Sequence, residues 1–128
     1  MARGFYTLAV LLLTSAFWLS ALYKILDFQG AMQEVRGLIG LEPASVFAML
    51  VIAAQLSGSG LLLWGGRASV VGAIILSGFT VAATLLAHPW WIKDGIDRVR
   101  DFNVFFEHLG LVGGFMLAGV AGLQLRGR

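Results

Sequence analysis

The chain has no cysteine, and only 12% of its 128 residues are charged. Without cysteine it has no disulfide framework, no thiol redox chemistry and no cysteine-ligated metal. A soluble domain of this length is usually about one quarter charged, whereas 59% of this chain is hydrophobic. In so apolar a chain the small net charge of +2 predicts membrane orientation and argues against nucleic-acid binding.

Charge is missing altogether from four long stretches, at residues 4–23, 43–66, 68–92 and 108–124. Each is close to or above the roughly 20 residues that an α-helix needs to cross the hydrocarbon core. The sequence therefore predicts an all-α integral membrane protein, an antiparallel four-helix bundle that forms one transmembrane domain over residues 1–128. The predicted helices cover residues 5–26, 45–64, 68–88 and 104–125.

Acidic residues are confined to two of the three predicted connectors and the helix ends beside them, where all seven lie. The other soluble faces carry only arginine, namely Arg3, Arg67, Arg126 and Arg128. Lys and Arg are enriched on the cytoplasmic side of membrane proteins. Because these four arginines have no acid near them, we expect both termini and the middle connector to be cytoplasmic.

The first and third connectors carry apolar residues at helical spacing. This spacing predicts a short amphipathic segment at the membrane interface in each connector, with a hydrated loop as the alternative. The stripes consist of Ala31, Met32, Val35 and Leu38 in the first connector and of Ile92, Ile96, Val99 and Phe102 in the third. Pro43 suits the first turn of the second helix, and Asn103 suits the N-cap of the fourth.

The fourth helix has a small residue at every fourth position. These residues are Gly110, Gly114, Ala118 and Gly122. Such a face lets a neighbouring helix backbone approach closely. We expect it to pack within the monomer, with a homodimer seam as the alternative.

Polar residues near membrane depth are costly and are therefore candidates for a functional site. With antiparallel helices, most of them fall at one level, near the outer surface. Lys24 and Glu107 are predicted to share one polar network, with Asp27 and His88 as neighbours; separate snorkelling and capping residues are the alternative. Two histidines and one glutamate are too few to predict a metal site. The candidate residues are Lys24, Asp27, Gln55, Thr84, His88, Glu107 and His108.

Four segments together resemble the DoxX-like family of small membrane proteins. They are residues 20–28 (SALYKILDF, followed by Gly30), 55–65 (QLSGSGLLLWG), 83–91 (ATLLAHPWW) and 105–114 (FFEHLGLVGG). Two positions depart from the family pattern: Gln55 stands where a glutamate is frequent, and Glu107-His108 stands where a basic–polar pair is frequent. Proton exchange by an acid at position 55 is therefore in doubt for this chain.

The resemblance implies a multi-pass protein of the bacterial inner membrane. It further implies an accessory or assembly subunit of a membrane redox complex, which docks a redox enzyme or holds a lipophilic ligand such as quinone; no other cofactor is evident. A membrane enzyme that acts on a lipid-like substrate through His88, Glu107 and His108 is the alternative. A small dimeric transporter is less favoured, since residues 4–23 contain no acid.

Overall fold

The computed structural model describes residues 1–126, and helices are the regular secondary structure throughout that part of the chain. Arg128, one of the four arginines that predict the orientation, lies outside the described residues. The elements are α1 (Ala2–Leu13), α2 (Ser15–Leu26), α3 (Phe28–Leu38), α4 (Ala44–Trp64), α5 (Arg67–Ala87), a short 3₁₀ helix (Trp90–Ile92) and α6 (Gly95–Arg126).

Several of these helices are long and apolar enough to cross a membrane. Three segments qualify alone: Ala44–Trp64, Arg67–Ile92 and Gly95–Leu125. The pair α1 and α2 qualifies only as one bent span, which would make four. Large apolar side chains cover much of the surface, with Leu117 74% exposed, as lipid contact requires.

The prediction of one continuous helix over residues 5–26 is wrong. The structure divides it at Thr14 into α1 and α2, whose axes are bent by 54°. Thr14 Oγ1 donates to the Val10 carbonyl (2.7 Å), and Ser15 Oγ donates to the Leu12 carbonyl (2.7 Å). Two adjacent hydroxyls thus bond back to the preceding turn, and such bonds bend helices.

The first connector contains a true helix, α3, as its apolar stripe predicted. Asp27 caps it, since Asp27 Oδ1 accepts from the Gly30 backbone N–H at 3.0 Å. Ala31 and Val35 are buried against Ala44 and Ala48 of α4. The helix therefore folds back onto α4 and becomes a wall of the structure.

The connector between α3 and α4 is held by Glu42. Arg36 Nε donates to Glu42 Oε1 (2.8 Å), and the Ala44 backbone N–H donates to Glu42 Oε2 (2.9 Å). The Arg36 hydrogen bond, followed by the one from Ala44, lowers the pKa of Glu42 from its ordinary value. Helix α4 begins at Ala44, so Pro43 immediately precedes the first turn in which we expected it.

The fourth helix was predicted at residues 104–125, and its predicted start is wrong. Helix α6 begins at Gly95 and runs unbroken for 32 residues. Asn103 therefore lies inside the helix and is not its N-cap, and Glu107 does not lie in its first turn. Residues 96–109 contain neither Gly nor Pro, the residues that most disfavour a helix. The helix therefore continues where the sequence changes from polar to apolar.

Helices α4 and α5 approach each other closely at glycine. A Cβ atom added to Gly72 would lie 2.5 Å from the Leu62 nitrogen and 2.6 Å from the Gly58 carbonyl oxygen. The connector between these helices is short because Gly65 and Gly66 adopt positive φ angles of 83° and 63°, which glycine tolerates without steric cost.

The small-residue ladder of α6 makes close contacts only in its second half. A Cβ atom at Gly122 would meet Tyr6 Oη and Ser69 Oγ, and one at Gly114 would touch the end of Leu13. Ala118 is partly buried beside the core. Around Gly110, apart from the adjacent backbone of α6 itself, no described atom lies within 4 Å of that position, so the ladder as predicted is not one continuous contact face.

One end of the helices is joined by hydrogen bonds to backbone carbonyls. Tyr6 Oη donates to the Leu62 carbonyl at 2.6 Å, and Ser69 Oγ is 2.8 Å from the Gly119 carbonyl. The Gly66 N–H donates to the Gly122 carbonyl at 2.9 Å. Next to this end lies the main apolar core, formed by Tyr6, Val10, Phe17, Leu62, Ala73, Leu76 and Phe115.

Candidate functional site

A cavity of about 380 Å³ lies beyond the apolar core, with walls from α2, α3, α4 and α5 and one residue of α6. Most of its wall is apolar and includes Val51, Phe79 and Leu86. Its polar lining consists of Ser20, Lys24, Glu34, Gln55, His88 and His108. The cavity thus combines a lipophilic wall with convergent polar groups, as small-molecule sites do.

Lys24 anchors one polar side of the cavity. Its Nζ donates to Ser20 Oγ at 2.6 Å and lies 3.4 Å from Glu34 Oε2. The Lys24 side chain is 14% exposed and that of Glu34 is 53% exposed. The ion pair therefore links α2 to α3 across the turn at Asp27 and holds the α3 wall beside the cavity.

Gln55 is the most buried polar residue of the cavity lining, at 5% exposed. Its Nε2 donates a long hydrogen bond of 3.4 Å to Ser20 Oγ. Its Oε1 is buried and has no hydrogen-bond partner among the described residues. A buried acceptor without a partner is destabilising and calls for an explanation.

His108 is tied to α5 through Thr84. Thr84 Oγ1 donates to the Thr80 carbonyl at 2.6 Å and lies 2.9 Å from His108 Nδ1. Thr84 is almost fully buried, with 1% exposed. The contact fixes the His108 ring against α5 at the edge of the cavity.

His88 is held by a carboxylate from α6. His88 Nδ1 lies 3.1 Å from Asp101 Oδ1, and Lys93 Nζ forms an ion pair with Asp101 Oδ2. Asp101 is buried, at 6% exposed. The His88 and His108 rings meet edge to face with centroids 5.4 Å apart, so the two histidines form one side of the cavity together.

Of the seven predicted site residues, the structure brings five together. Lys24, Gln55, His88 and His108 line the cavity, and Thr84 bonds to His108. Asp27 instead caps α3, and Glu107 is exposed. The carboxylate beside Lys24 is that of Glu34, so the predicted pairing of Lys24 with Glu107 is not what the structure contains.

Two acidic residues of the site, Glu34 and Asp101, were missed by the sequence analysis. Both lie in segments that we interpreted as amphipathic surface, where acids need no special role. For Asp101 a signal existed: it precedes His108 by seven positions, so both fall on one face of a continuous helix. The signal was overlooked because the helix was expected to begin at residue 104.

Besides this cavity, the described residues form a larger groove and hold no cluster of metal-ligating side chains. In residues 1–126, no three His, Cys, Asp or Glu side chains are placed to hold a metal ion. A larger groove of about 730 Å³ between α1 and the second half of α6 is lined almost entirely by apolar side chains such as Phe5, Leu13 and Leu117. The groove lacks convergent polar groups, so we assign it no chemistry.

Comparison with known proteins identifies the family. The sequence model of the DoxX family matches residues 7–89, which is more than half of the chain. The chain belongs to the DoxX family. The matched segment of this DoxX protein includes Lys24, Gln55, Thr84 and His88, whereas Asp101 and His108 lie beyond it. A search of curated proteins and a search of solved structures found no match.

The family and the helices together establish the class of protein. This DoxX chain is a small membrane protein with several helices that are long and apolar enough to span a bilayer. The family assignment agrees with the resemblance seen in the sequence. The fourth of the resembling segments, residues 105–114, lies outside the matched range.

Proposed function

We propose that this DoxX protein crosses the bacterial inner membrane four times as an antiparallel helix bundle, with both termini in the cytoplasm. In this arrangement α1 and α2 form one bent span, and α4, α5 and α6 form the others. The acid-free faces around Arg3 and Arg67 support the orientation, because basic residues are enriched on the cytoplasmic side.

Contacts at opposite ends of α5 support antiparallel packing against α6. Gly66 bonds to Gly122 at one end, and His88 bonds to Asp101 at the other. Helix α6 has 32 residues and is therefore about 48 Å long, against a hydrocarbon core of about 30 Å. Residues 95–100 then extend beyond α5 on the outer side of the membrane, which explains the charges at the start of α6.

The cavity, on the outer side in this orientation, would hold a lipophilic ring compound of the quinone class. The observation that carries this proposal is a largely apolar cavity wall with convergent polar side chains, among them Gln55, whose buried Oε1 has no partner in the described part of the chain. A volume of about 380 Å³ lies within the range of small-molecule sites, roughly 300–1,000 Å³. The ring would lie between α3 and α5, with its polar substituents toward Gln55 and the histidines.

As a cysteine-free chain, the protein would serve a redox partner as an accessory subunit and would not itself use thiols or cysteine-bound clusters. Exposed apolar side chains near His88 offer a surface for such a partner: Ile92 is 73% exposed and Ile96 is 81% exposed. Both belong to the segment that the proposed topology places at the outer membrane surface. Docking there would bring the partner next to the histidine side of the cavity.

The test of this role is copurification from native membranes, with mass spectrometry of bound proteins and lipids. We expect a stoichiometric oxidoreductase and a bound quinone-class lipid. Isolation of the chain without either would contradict the proposal. Isolation of the chain alone with a lipid that it converts would favour an enzyme instead, for which the His88–Asp101 pair is the supporting feature, since a carboxylate orients a histidine base in that way.

Gln55 provides a direct test of the cavity. We predict that Gln55→Leu raises the melting temperature in detergent, because it removes an unpaired buried acceptor that costs roughly 1–3 kcal/mol. The same change should weaken binding of decylubiquinol, measured by its stabilisation of the protein against heat. A gain in stability together with a loss of binding is typical of residues that serve function at the expense of stability.

Gln124→Leu is the matched control, since Gln124 is exposed on α6 away from the cavity. It should leave decylubiquinol binding unchanged. If Gln55→Leu lowers stability while binding persists, Gln55 is a structural residue and the proposed site is wrong.

A further inference from the structure

The His88 ring is held in one protonation form by its partner. An ionised carboxylate accepts hydrogen bonds and cannot donate them. Since His88 Nδ1 lies 3.1 Å from Asp101 Oδ1, the ring must supply the proton of this bond. Lys93 pairs with the other oxygen of Asp101 and so favours the ionised carboxylate. His88 therefore carries a proton on Nδ1.

The His108 ring is held in the same form by a hydroxyl. Thr84 has one hydroxyl proton, which it donates to the Thr80 carbonyl at 2.6 Å. Thr84 Oγ1 lies 2.9 Å from His108 Nδ1. If Nδ1 carried no proton, this contact would place two lone pairs against each other. His108 Nδ1–H therefore donates to Thr84, and His108 also carries a proton on Nδ1.

This leaves Nε2 of each neutral ring as a hydrogen-bond acceptor. Neither Nε2 is among the buried polar atoms that lack a partner in the described part of the chain, and the hydrogen bonds of both rings there run through Nδ1. Neither Nε2 is therefore fully buried, and both rings line the same cavity. The two rings thus provide two acceptors beside the cavity.

We infer that the cavity selects a lipophilic ring that carries hydroxyl donors, a phenol or a hydroquinone, over the same ring with carbonyl or ether oxygens alone. The inference rests on the proposed function, since it presupposes a lipophilic ring in the cavity. A hydroxyl on the ring can donate to a histidine Nε2. A quinone carbonyl would place its lone pairs against those of the histidine, so the ligand would form no hydrogen bond with either ring.

A pair of probes with and without the hydroxyl donor tests the inference. Para-decylphenol and para-decylanisole have the same ring and tail, but a methyl group replaces the hydroxyl proton in the second. Binding to the full chain in lipid nanodiscs is measured by equilibrium dialysis at about pH 8, where histidine is ordinarily neutral. We expect the phenol to bind at least about tenfold more tightly, as the loss of a buried hydrogen bond predicts.

Two double variants test whether the histidine rings cause the preference for the phenol. His88→Asn combined with His108→Asn keeps an N–H donor near each Nδ1 position and removes Nε2. His88→Phe combined with His108→Phe keeps a ring and removes both nitrogens. Both designs should lower phenol binding to the level of the anisole while anisole binding persists, which shows that the cavity is intact. Glu107→Gln, at an exposed neighbouring position, should keep the preference.

The possible failures are distinguishable. If the unaltered protein binds both probes equally, the inference is overturned and the lipophilic cavity of the proposed function stands. If it binds neither probe, the proposed function is overturned with it. If the phenol preference survives in both histidine designs, the acceptors are not the two histidines and the inference is wrong.

Discussion

Lys24 shares its ammonium group between a hydroxyl of its own helix and the carboxylate of Glu34 on α3. The distance of 3.4 Å to Glu34 Oε2 is that of an ion pair, but Glu34 is half exposed. Water therefore screens the pair, and partly exposed ion pairs contribute little to stability. Its main effect is to orient Lys24 along the cavity wall.

A double-mutant cycle distinguishes the observed partner of Lys24 from the one predicted by sequence. We expect Lys24→Met and Glu34→Gln to couple by about 0.5 kcal/mol in the free energy of unfolding. Lys24→Met and Glu107→Gln should be additive, because Glu107 is exposed and Lys24 is occupied elsewhere. Coupling with Glu107 and none with Glu34 would show that the carboxylate partner in solution is the one expected from sequence.

Helix contacts in this protein depend on a few glycines out of the 17 in the sequence. Gly72 faces the backbone of α4, whereas around Gly78, on the same helix, an added Cβ would meet no described atom within 4 Å apart from the adjacent backbone of α5 itself. On α6 the same contrast separates Gly122 from Gly110. Small residues at regular spacing therefore mark helix surfaces in general, and only some of them mark contacts.

Alanine at Gly72 and at Gly78 tests this contrast within one helix. Gly72→Ala should destabilise the protein by about 1–3 kcal/mol, as overpacking of a tight contact does, because the backbone of α4 cannot move aside as a side chain would. Gly78→Ala should be neutral or add up to about 1 kcal/mol, because alanine favours helix over glycine. Thermal unfolding in detergent measures both. Similar losses at the two positions would contradict the close approach of α4 and α5.

At the scale of the whole molecule, the contacts of α5 divide into two zones. Near Gly66 the helices are joined through backbone carbonyls and tight glycine contacts. Near His88, helices α2 to α5 enclose a cavity that has ionisable residues in its wall. A polar cavity in a membrane protein is costly unless it faces water or holds a ligand. The proposed topology places this open zone at the outer surface, where water and lipophilic molecules both have access.

Single cysteines in this cysteine-free chain test that topology. In intact cells, a membrane-impermeant thiol reagent should label Asp94→Cys and should not label Ala2→Cys. Both positions are exposed, so packing does not limit the reaction at either. After the membrane is permeabilised, both should react. Labelling of position 2 alone in intact cells would reverse the orientation.

Composition and charge spacing determined the class of this protein, because a long stretch without charge is stable in few places other than a bilayer. They also brought Lys24, Gln55, Thr84, His88 and His108 forward as site residues, since polar groups at membrane depth are costly wherever they lie. The bend at Thr14 was not predicted, because it arises from hydroxyl bonds to the preceding turn, which many helical threonines make without a break.

Pairing between residues was decided only by the tertiary structure. Which acid meets Lys24 depends on the direction in which α3 folds back, and which acid meets His88 depends on α6 starting at Gly95. Sequence spacing sets the face of a helix on which a residue lies, but neither the rotation of that helix nor its distance from its neighbours. The tautomers inferred for His88 and His108 rest on the contacts of these rings with Asp101 and Thr84, which only the folded chain shows.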